Sequence, residues 1–316
     1  MSAQVDRDLD VVALGEPLLE FNQVQRDPPM YLQGFGGDTS NAVIAAARAG
    51  ARTAYLSRLG NDHWAGLLMA LWRREGVDTR AILTDPQAPT GLYFVSHDDS
   101  GHHFSYARAG SAASRMQPDD LRGLWERYIE RSHWLHVSGI SMAISASACQ
   151  SVMAALRTAR QGKTRISLDS NLRLRLWTAD AARSALTEAL GLCDLFLPSL
   201  EDMVTLTGLE QAHDIVDWSH ARGARQVVLK LGADGALCSD GQHRQFIAGR
   251  AVEAVDATGA GDCFAGNLLA RLAQGHSLID AARYANAAAA LSVQGYGAVA
   301  PLPYPSAVLA QLKDSP

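Results

Sequence analysis

The stretch Asp256-Ala257-Thr258-Gly259-Ala260-Gly261-Asp262-Cys263-Phe264 decides how the rest of the chain is read. A helical pattern follows at once and runs to about Leu272, which places both glycines at a helix entrance. Glycines there let backbone N–H groups converge on an anion, and the positive end of the helix dipole adds to the attraction. A carboxylate at Asp262 is expected to be held ionised in such a place. It could then accept a proton from a hydroxyl while neighbouring N–H groups stabilise charge on a transferring phosphoryl group. Taken alone, Gly259 to Asp262 also fits an ordinary helix cap in which Asp262 satisfies end amides.

Outward from this motif the chain alternates between strands and helices. Short apolar runs at Asp10 to Gly15, His133 to Gly139, Arg165 to Asp169, Leu195 to Pro198 and Gln226 to Gly232 read as buried strands. Helical stretches lie between them, at Ala42 to Ala49, His63 to Glu75, Ser145 to Gln161 and Ala179 to Leu190. Gly50, Gly76, Gly162 and Gly191 close these helices where a left-handed cap belongs. Such alternation implies an α/β fold of three layers, with a mostly parallel sheet between two layers of helices. Two regions break the rhythm, Pro17 to Val24 and the pair Thr90 to Asp98 and His102 to Arg108. The pair reads as a hairpin turning at Asp98, Asp99, Ser100 and Gly101. Strands without intervening helices suggest a small sheet serving as a lid over a cleft, or else an edge extension of the main sheet.

At 316 residues the chain fits one domain, residues 1–316, with lid strands at about 17–35 and 90–110 within it. Hydrophobic residues make up 47% and charged ones 19%, enough for a substantial core. The formal net charge of −5 supplies no broad cationic field, which argues against nucleic acid or an anionic membrane surface as partner. A small anion stays open because a few local arginines suffice for it. Cys149, Cys193, Cys238 and Cys263 form no metal-spaced pair, which suits a reducing compartment. Met1 to Asp6 show no basic start before an apolar core, and no segment is apolar for long enough to cross a bilayer, so a cytoplasmic location is expected.

Rival nucleotide motifs fail on context. Gly162, Lys163 and Thr164 mimic the end of a P-loop, but Arg157 stands where that motif requires glycine, and a strand follows. The dehydrogenase fingerprint is broken by Phe264 at its last position. Gly295, Gly297 and Ala300 match its spacing but run into Pro301 and Pro303, which reads as a turn. His97, His102 and His103 beside Asp98 and Asp99 fit a polar hairpin better than a metal site. Cys263 reads as a small buried helix residue rather than a reactive thiol, and Trp64, Trp72 and Trp125 as core.

The complete arrangement resembles the ribokinase-like, or PfkB-type, carbohydrate kinases along nearly the whole chain. Gly36, Gly37, Asp38, Thr39, Ser40 and Asn41 match the family's early glycine pair, where absent side chains let sugar hydroxyls approach the backbone and Asn41 can bond them. The late signature is matched by the run Asp256 to Leu269. The resemblance implies that Lys230, Gly232 and Gly235 form the loop facing ATP. It likewise gives Gly259, Ala260, Gly261, Asn171 and Ser199 to the nucleotide site and Asn286 to the border of the adenine pocket. ATP and Mg2+ are the implied cofactors, with Asp262 as the base.

Within that family Tyr106 to Arg115 is similar to the signature of 2-keto-3-deoxygluconate kinases, supported by Gly91 to Phe94 and Asp169 to Trp177. A sugar acid offers a carboxylate, which arginine binds through a planar fork, so Arg108 and Arg173 are the candidates, with Tyr93 and Tyr106 lining the same pocket. The implied reaction phosphorylates the terminal hydroxyl to give 2-keto-3-deoxy-6-phosphogluconate. Fructose, ribose or the galactonate epimer as acceptor, and a regulatory homologue without turnover, remain the alternatives.

Two elements depart from the family. Pro198, Ser199, Leu200, Glu201 and Asp202 replace its Asn-x-x-Glu, leaving Glu201 and Asp202 as the candidates for holding magnesium through water. Ser170 replaces a common proline. The family's frequent monovalent cation, K+, would find backbone carbonyls around Asp256 to Thr258 and Gly295 to Ala298. An apolar outer face on the lid strands would support a homo-oligomer.

Overall fold

The computed structural model describes residues 7–98 and 101–313. Asp99 and Ser100 of the expected hairpin turn and the side chain of His102 lie outside the described residues, as do Met1 to Asp6. The first half of the chain runs β1 (Leu9–Leu14), β2 (Leu18–Gln25), β3 (Met30–Gly36), α1 (Asp38–Arg48), β4 (Thr53–Gly60), α2 (His63–Arg74), β5 (Val77–Asp78), β6 (Ile82–Asp85), β7 (Leu92–Asp98) and β8 (Gly101–Ala107). It continues with α3 (Leu124–Glu130), β9 (Ser132–Ser138), α4 (Gly139–Ala143), α5 (Ala146–Gln161), β10 (Arg165–Asp169) and α6 (Ala179–Leu190). The last part comprises β11 (Leu195–Leu197), α7 (Leu200–Thr207), α8 (Ala212–Ala221), β12 (Gln226–Lys230), β13 (Gly235–Ser239), β14 (Arg244–Ala248), α9 (Ala260–Ala273), α10 (Leu278–Ser292) and α11 (Pro305–Lys313).

The main sheet has the order β14-β13-β12-β11-β10-β9-β1-β4-β5, with β6 also paired to β4. It is parallel from β12 through β5 and antiparallel only at β12-β13-β14. Both faces are covered, and the alternation along β1 shows it. Val12 and Leu14 enter a cluster with Trp125 of α3, Leu156 of α5, Leu186 of α6 and Ile215 of α8. Val11 points the other way, into a cluster with Ala42 and Ala46 of α1, Phe264 and Leu268 of α9 and Ala285 of α10. This is the three-layer α/β architecture that the alternation of strands and helices implies. Among the described residues no helix is long and apolar enough to cross a membrane.

A second sheet of order β3-β2-β7-β8 stands apart from the first, as the two breaks in the sequence rhythm imply. It is a separate sheet and not an edge extension. Phe21 of β2 meets Trp64 of α2 edge-on at 5.4 Å and stacks on Phe94 of β7 at 5.2 Å, which ties the lid to the core.

Three local expectations are corrected. Gly50 and Gly76 are left-handed at φ 91° and 76° as expected, but Gly162 and Gly191 stay near helical values of −76° and −60°. After α5 the left-handed residue is Lys163, at φ 57°. Helix α1 starts at Asp38 rather than Ala42, so the glycine pair abuts the helix itself. Trp72 and Trp125 are fully buried core, whereas Trp64 is half-buried under the lid.

Candidate active site

The C-terminal ends of the parallel strands lie along one edge of the main sheet, where an α/β fold places its ligands. Glu16 follows β1, Asp169 ends β10 and Lys230 ends β12. Two helices point their first turns at the same place. Gly266 of α9 permits this convergence, because a Cβ there would lie 2.1 Å from the Ala42 carbonyl oxygen and 2.8 Å from Ala45 Cβ of α1. With the helices in backbone contact, Asn41 Nδ2 donates to Asp262 Oδ2 across 2.9 Å. Gly259 caps α9 in the left-handed region at φ 75°, a conformation that favours glycine.

The result is a cleft of about 960 Å³ under the lid. Its wall brings together Gly36, Gly37, Asp38, Asn41, Tyr93, Tyr106, Arg108 and Arg173 on one side and Asn171, Ser199, Lys230 and Gly232 on the other. Gly259, Ala260, Gly261 and Asp262 form its floor, with Glu201, Asp202 and Thr258 also lining it. Three expected residues fall outside that wall. Gly235 is packed at the start of β13, where a Cβ would lie 2.0 Å from the Ile247 carbonyl oxygen. Asn286 donates from Nδ2 to the Ala248 carbonyl at 2.7 Å. Asp256 lies beneath the floor, accepting from Thr258 N at 2.9 Å and Gly297 N at 2.9 Å, and thereby ties the two segments expected to surround a monovalent cation.

The charges at the floor differ from the sequence expectation. Asp262 was expected to be held ionised by the helix terminus, but its carboxyl is raised to about 8. Burial is the largest cause, followed by the carboxylate of Asp38; Asn41, which donates to it, and Lys230 act in the opposite sense. Asp38 is raised as well, chiefly by burial. Asn171 Nδ2 donates to Asp38 Oδ2 at 3.0 Å, while Asp38 Oδ1 and Asn41 Oδ1 are buried acceptors without a protein donor. Two such oxygens beside Asp262 suit the hydroxyls of a polyol.

On the lid side, Arg108 does not reach freely into the cleft. Its Nε donates to Glu16 Oε2 at 2.7 Å and its Nη2 contacts the same oxygen, while Ser111 donates to Glu16 Oε1. Burial raises the Glu16 carboxyl and Arg108 opposes the shift. Direct contact with the guanidinium and the bond from Ser111 both favour the charged carboxylate against its burial. Tyr93 similarly hydrogen-bonds Glu20 of β2, and its phenol is pushed up by burial and by that carboxyl. Arg173 Nη1 donates to the Leu172 carbonyl, at 2.7 Å, and Arg175 Nη1 to the Phe104 carbonyl of the lid, at 3.2 Å.

On the opposite side, Lys230 Nζ donates to Asp169 Oδ2 at 2.6 Å and lies 3.4 Å from the position a Cβ on Gly261 would take. A lysine over the open N-terminus of α9 is the chemistry a polyphosphate needs. The two departures from the family pattern meet here. Ser170 donates to Asp202 Oδ2 at 2.6 Å, and Leu172 N donates to the same oxygen at 3.1 Å, so Asp202 braces the Ser170–Arg173 loop. Glu201, the other expected holder of magnesium through water, lines the cleft beside it. Among the described residues no group of three or more His, Cys, Asp or Glu side chains could hold an ion. This donor set fits magnesium that keeps its waters and phosphate ligands rather than one caged by protein.

Glu16, Asp169 and Arg175 line the cleft as well, and sequence reasoning did not single them out for the site. The only available signal was their position just past or at the end of an apolar run, or inside the Asp169 to Trp177 segment. Cys263 is buried and its thiol is pushed up to about 12, as the unreactive reading implies.

Comparison with known proteins agrees with this fold. The model of the pfkB family of carbohydrate kinases matches residues 7–305. A 2-dehydro-3-deoxygluconokinase of Thermoproteus tenax is 34% identical over 306 residues, covering 94% of this chain and 92% of that protein. A fructokinase of Vibrio cholerae O395, solved with fructose, ADP and calcium ion, is 28% identical with a TM-score of 0.85, covering 96% and 98%. A putative ribokinase II of E. coli is 25% identical with a TM-score of 0.88, covering 96% and 99%.

Proposed function

The chain belongs to the pfkB family of carbohydrate kinases, and from that premise we propose that it transfers the γ-phosphoryl group of ATP to the terminal hydroxyl of 2-keto-3-deoxygluconate. The observation that carries the chemistry is Asp262, half-buried at the first turn of α9 between Asn41 and the Lys230 side of the cleft. Its raised affinity for a proton suits a base that must take one from an alcohol near neutral pH. The N–H groups of Ala260 and Gly261, with Lys230, face the phosphates and stabilise charge as it moves to the transferring oxygens. Asp38 and Asn41 bond the sugar hydroxyls and set the attacking oxygen in line. Magnesium, when bound with ATP, would neutralise phosphate charge, and Glu201 in the cleft lining would hold it through water. The carbonyls beside Asp256 and Thr258 suit a potassium ion under the floor.

The sugar acid is favoured over a neutral sugar by Arg173, which lines the cleft and has no carboxylate partner among the described residues. The T. tenax relative is named a 2-dehydro-3-deoxygluconokinase, 2-dehydro and 2-keto denoting the same carbonyl. Fructose is the second reading, supported by the V. cholerae fructokinase at nearly the same coverage. ATP consumption measured against 2-keto-3-deoxygluconate, 2-keto-3-deoxygalactonate, fructose and ribose decides between them. The highest kcat/KM is expected for a keto-deoxy sugar acid. A preference for fructose would retire the sugar-acid assignment, and no consumption with any sugar would favour the regulatory reading.

A further inference from the structure

Four cationic side chains line the cleft, and they are held in two different ways. Lys230 is paired with Asp169 and Arg108 with Glu16, whereas Arg173 and Arg175 bond main-chain carbonyls. The Glu16 pairing is unusual in its burial. The carboxylate side chain is fully enclosed, its partner is 11% exposed, and the ligands that satisfy it, Arg108 and Ser111, both come from the segment leaving the lid strand β8. A carboxylate removed from water this completely costs stability unless it is paired and bonded. Its persistence at the mouth of a binding cleft, where an apolar residue would pack, asks for a reason.

The geometry supplies one. Glu16 takes the Nε and Nη2 edge of the guanidinium, which is the edge best shaped for a bidentate carboxylate. Arg108 therefore has its Nε bonded to Glu16 and its Nη2 held against the same oxygen, and the two formal charges offset each other where they meet. Donors without net charge can bond a hydroxyl as well as a carboxylate. We propose that Glu16 is a positioning residue that sets substrate charge preference: by holding one edge of Arg108 it neutralises that cation, and leaves discrimination for an anionic sugar to Arg173. The inference rests on the sugar-acid reading above.

The experiment compares wild type with Glu16→Gln and Glu16→Asp, taking kcat/KM for 2-keto-3-deoxygluconate and for fructose on the same preparation. Where one sugar is not turned over, its inhibition constant against the other replaces kcat/KM. The ratio of acid to neutral sugar is the readout, because general damage to folding cancels in it. In Glu16→Gln the ratio is expected to rise roughly five- to thirtyfold, the effect of one unit charge about 8–17 Å from the substrate carboxylate, beyond the intervening Arg108, at an effective dielectric of about 20. Glu16→Asp keeps the charge and should hold the ratio within about twofold of wild type while both rates fall. An unchanged or lower ratio in Glu16→Gln overturns the proposal. Should that variant not fold, the double variant Glu16→Gln with Arg108→Gln buries no ion, and with no guanidinium left to hold its ratio should match that of Arg108→Gln alone within about twofold; a larger difference means that Glu16 acts by another route and overturns the proposal. The ratio of the wild type itself tests the substrate reading, whereas the shift between variants tests Glu16, so the two can fail separately.

Discussion

Replacing Asp262 with asparagine should separate catalysis from stability and move them in opposite directions. The substitution is nearly isosteric, and the new amide oxygen can still accept the bond from Asn41 Nδ2 that now spans 2.9 Å. What disappears is the base, so turnover should fall by about two to four powers of ten while ATP and sugar still bind. Stability should rise. The Asp262 carboxyl is lifted from 3.8 to about 8 by burial and by the carboxylates of Asp38 and Asp169. A carboxyl whose folded pKa is raised contributes stability that is fully present below its unfolded value and is lost as pH climbs toward the folded one. At about 1.36 kcal/mol per unit, the ceiling above pH 8 is on the order of 6 kcal/mol, and titration shared with Asp38 reduces the expected gain to about 2–4 kcal/mol. For a chain of this size that is roughly 3–6 °C in Tm. Thermal melts of both proteins without ligand, at pH 5.5 and 8.5, check it: the variant should gain more at the higher pH. In the wild type kcat/KM should climb about tenfold per pH unit below about 8, because that quantity reports the base of the free enzyme. Near-normal turnover in the variant, or a Tm difference that ignores pH, would refute the account of the floor.

Further outcomes follow from the walls of the cleft. Arg173→Ala should cost about 1.5–3 kcal/mol in kcat/KM toward the sugar acid and far less toward fructose; equal losses on both sugars would remove Arg173 from carboxylate recognition. Gly261→Val places methyl groups against Lys230 Nζ, so kcat/KM for ATP should drop at least about tenfold while sugar affinity, read by calorimetry, changes less. Asp202→Ala removes the acceptor shared by Ser170 Oγ and Leu172 N and should destabilise the protein by about 1–3 kcal/mol in urea, with a raised KM for the sugar; a silent variant would leave the brace without a role.

The sequence exposes those parts of the site that are local. Gly36, Gly37, Gly259 and Gly261 announce two helix entrances because a few adjacent residues suffice to build each one, and the lid strands show as breaks in the alternation of strand and helix. Strand β4 escaped notice although it lies beside β1, since Ser57, Arg58 and Gly60 interrupt its apolar run. Ser57 is accommodated inside the core by donating to the Gly15 carbonyl at 2.7 Å, a partner 42 positions away that no local pattern reveals. The ionisation of Asp262 went astray for the same reason. The helix dipole, a local property, argues for a charged carboxylate, but Asp38 arrives from α1 and Asp169 from the end of β10, and their fields together with burial outweigh it. Glu16 and Arg108 likewise meet across 92 positions, and only the stacking of lid on core makes one the partner of the other. Which residue types the chemistry needs is therefore written along the chain, whereas their protonation and charge balance are properties of the closed cleft. Since substrate charge preference in this site depends on that balance, it has to be read from the assembled pairs rather than from a count of arginines.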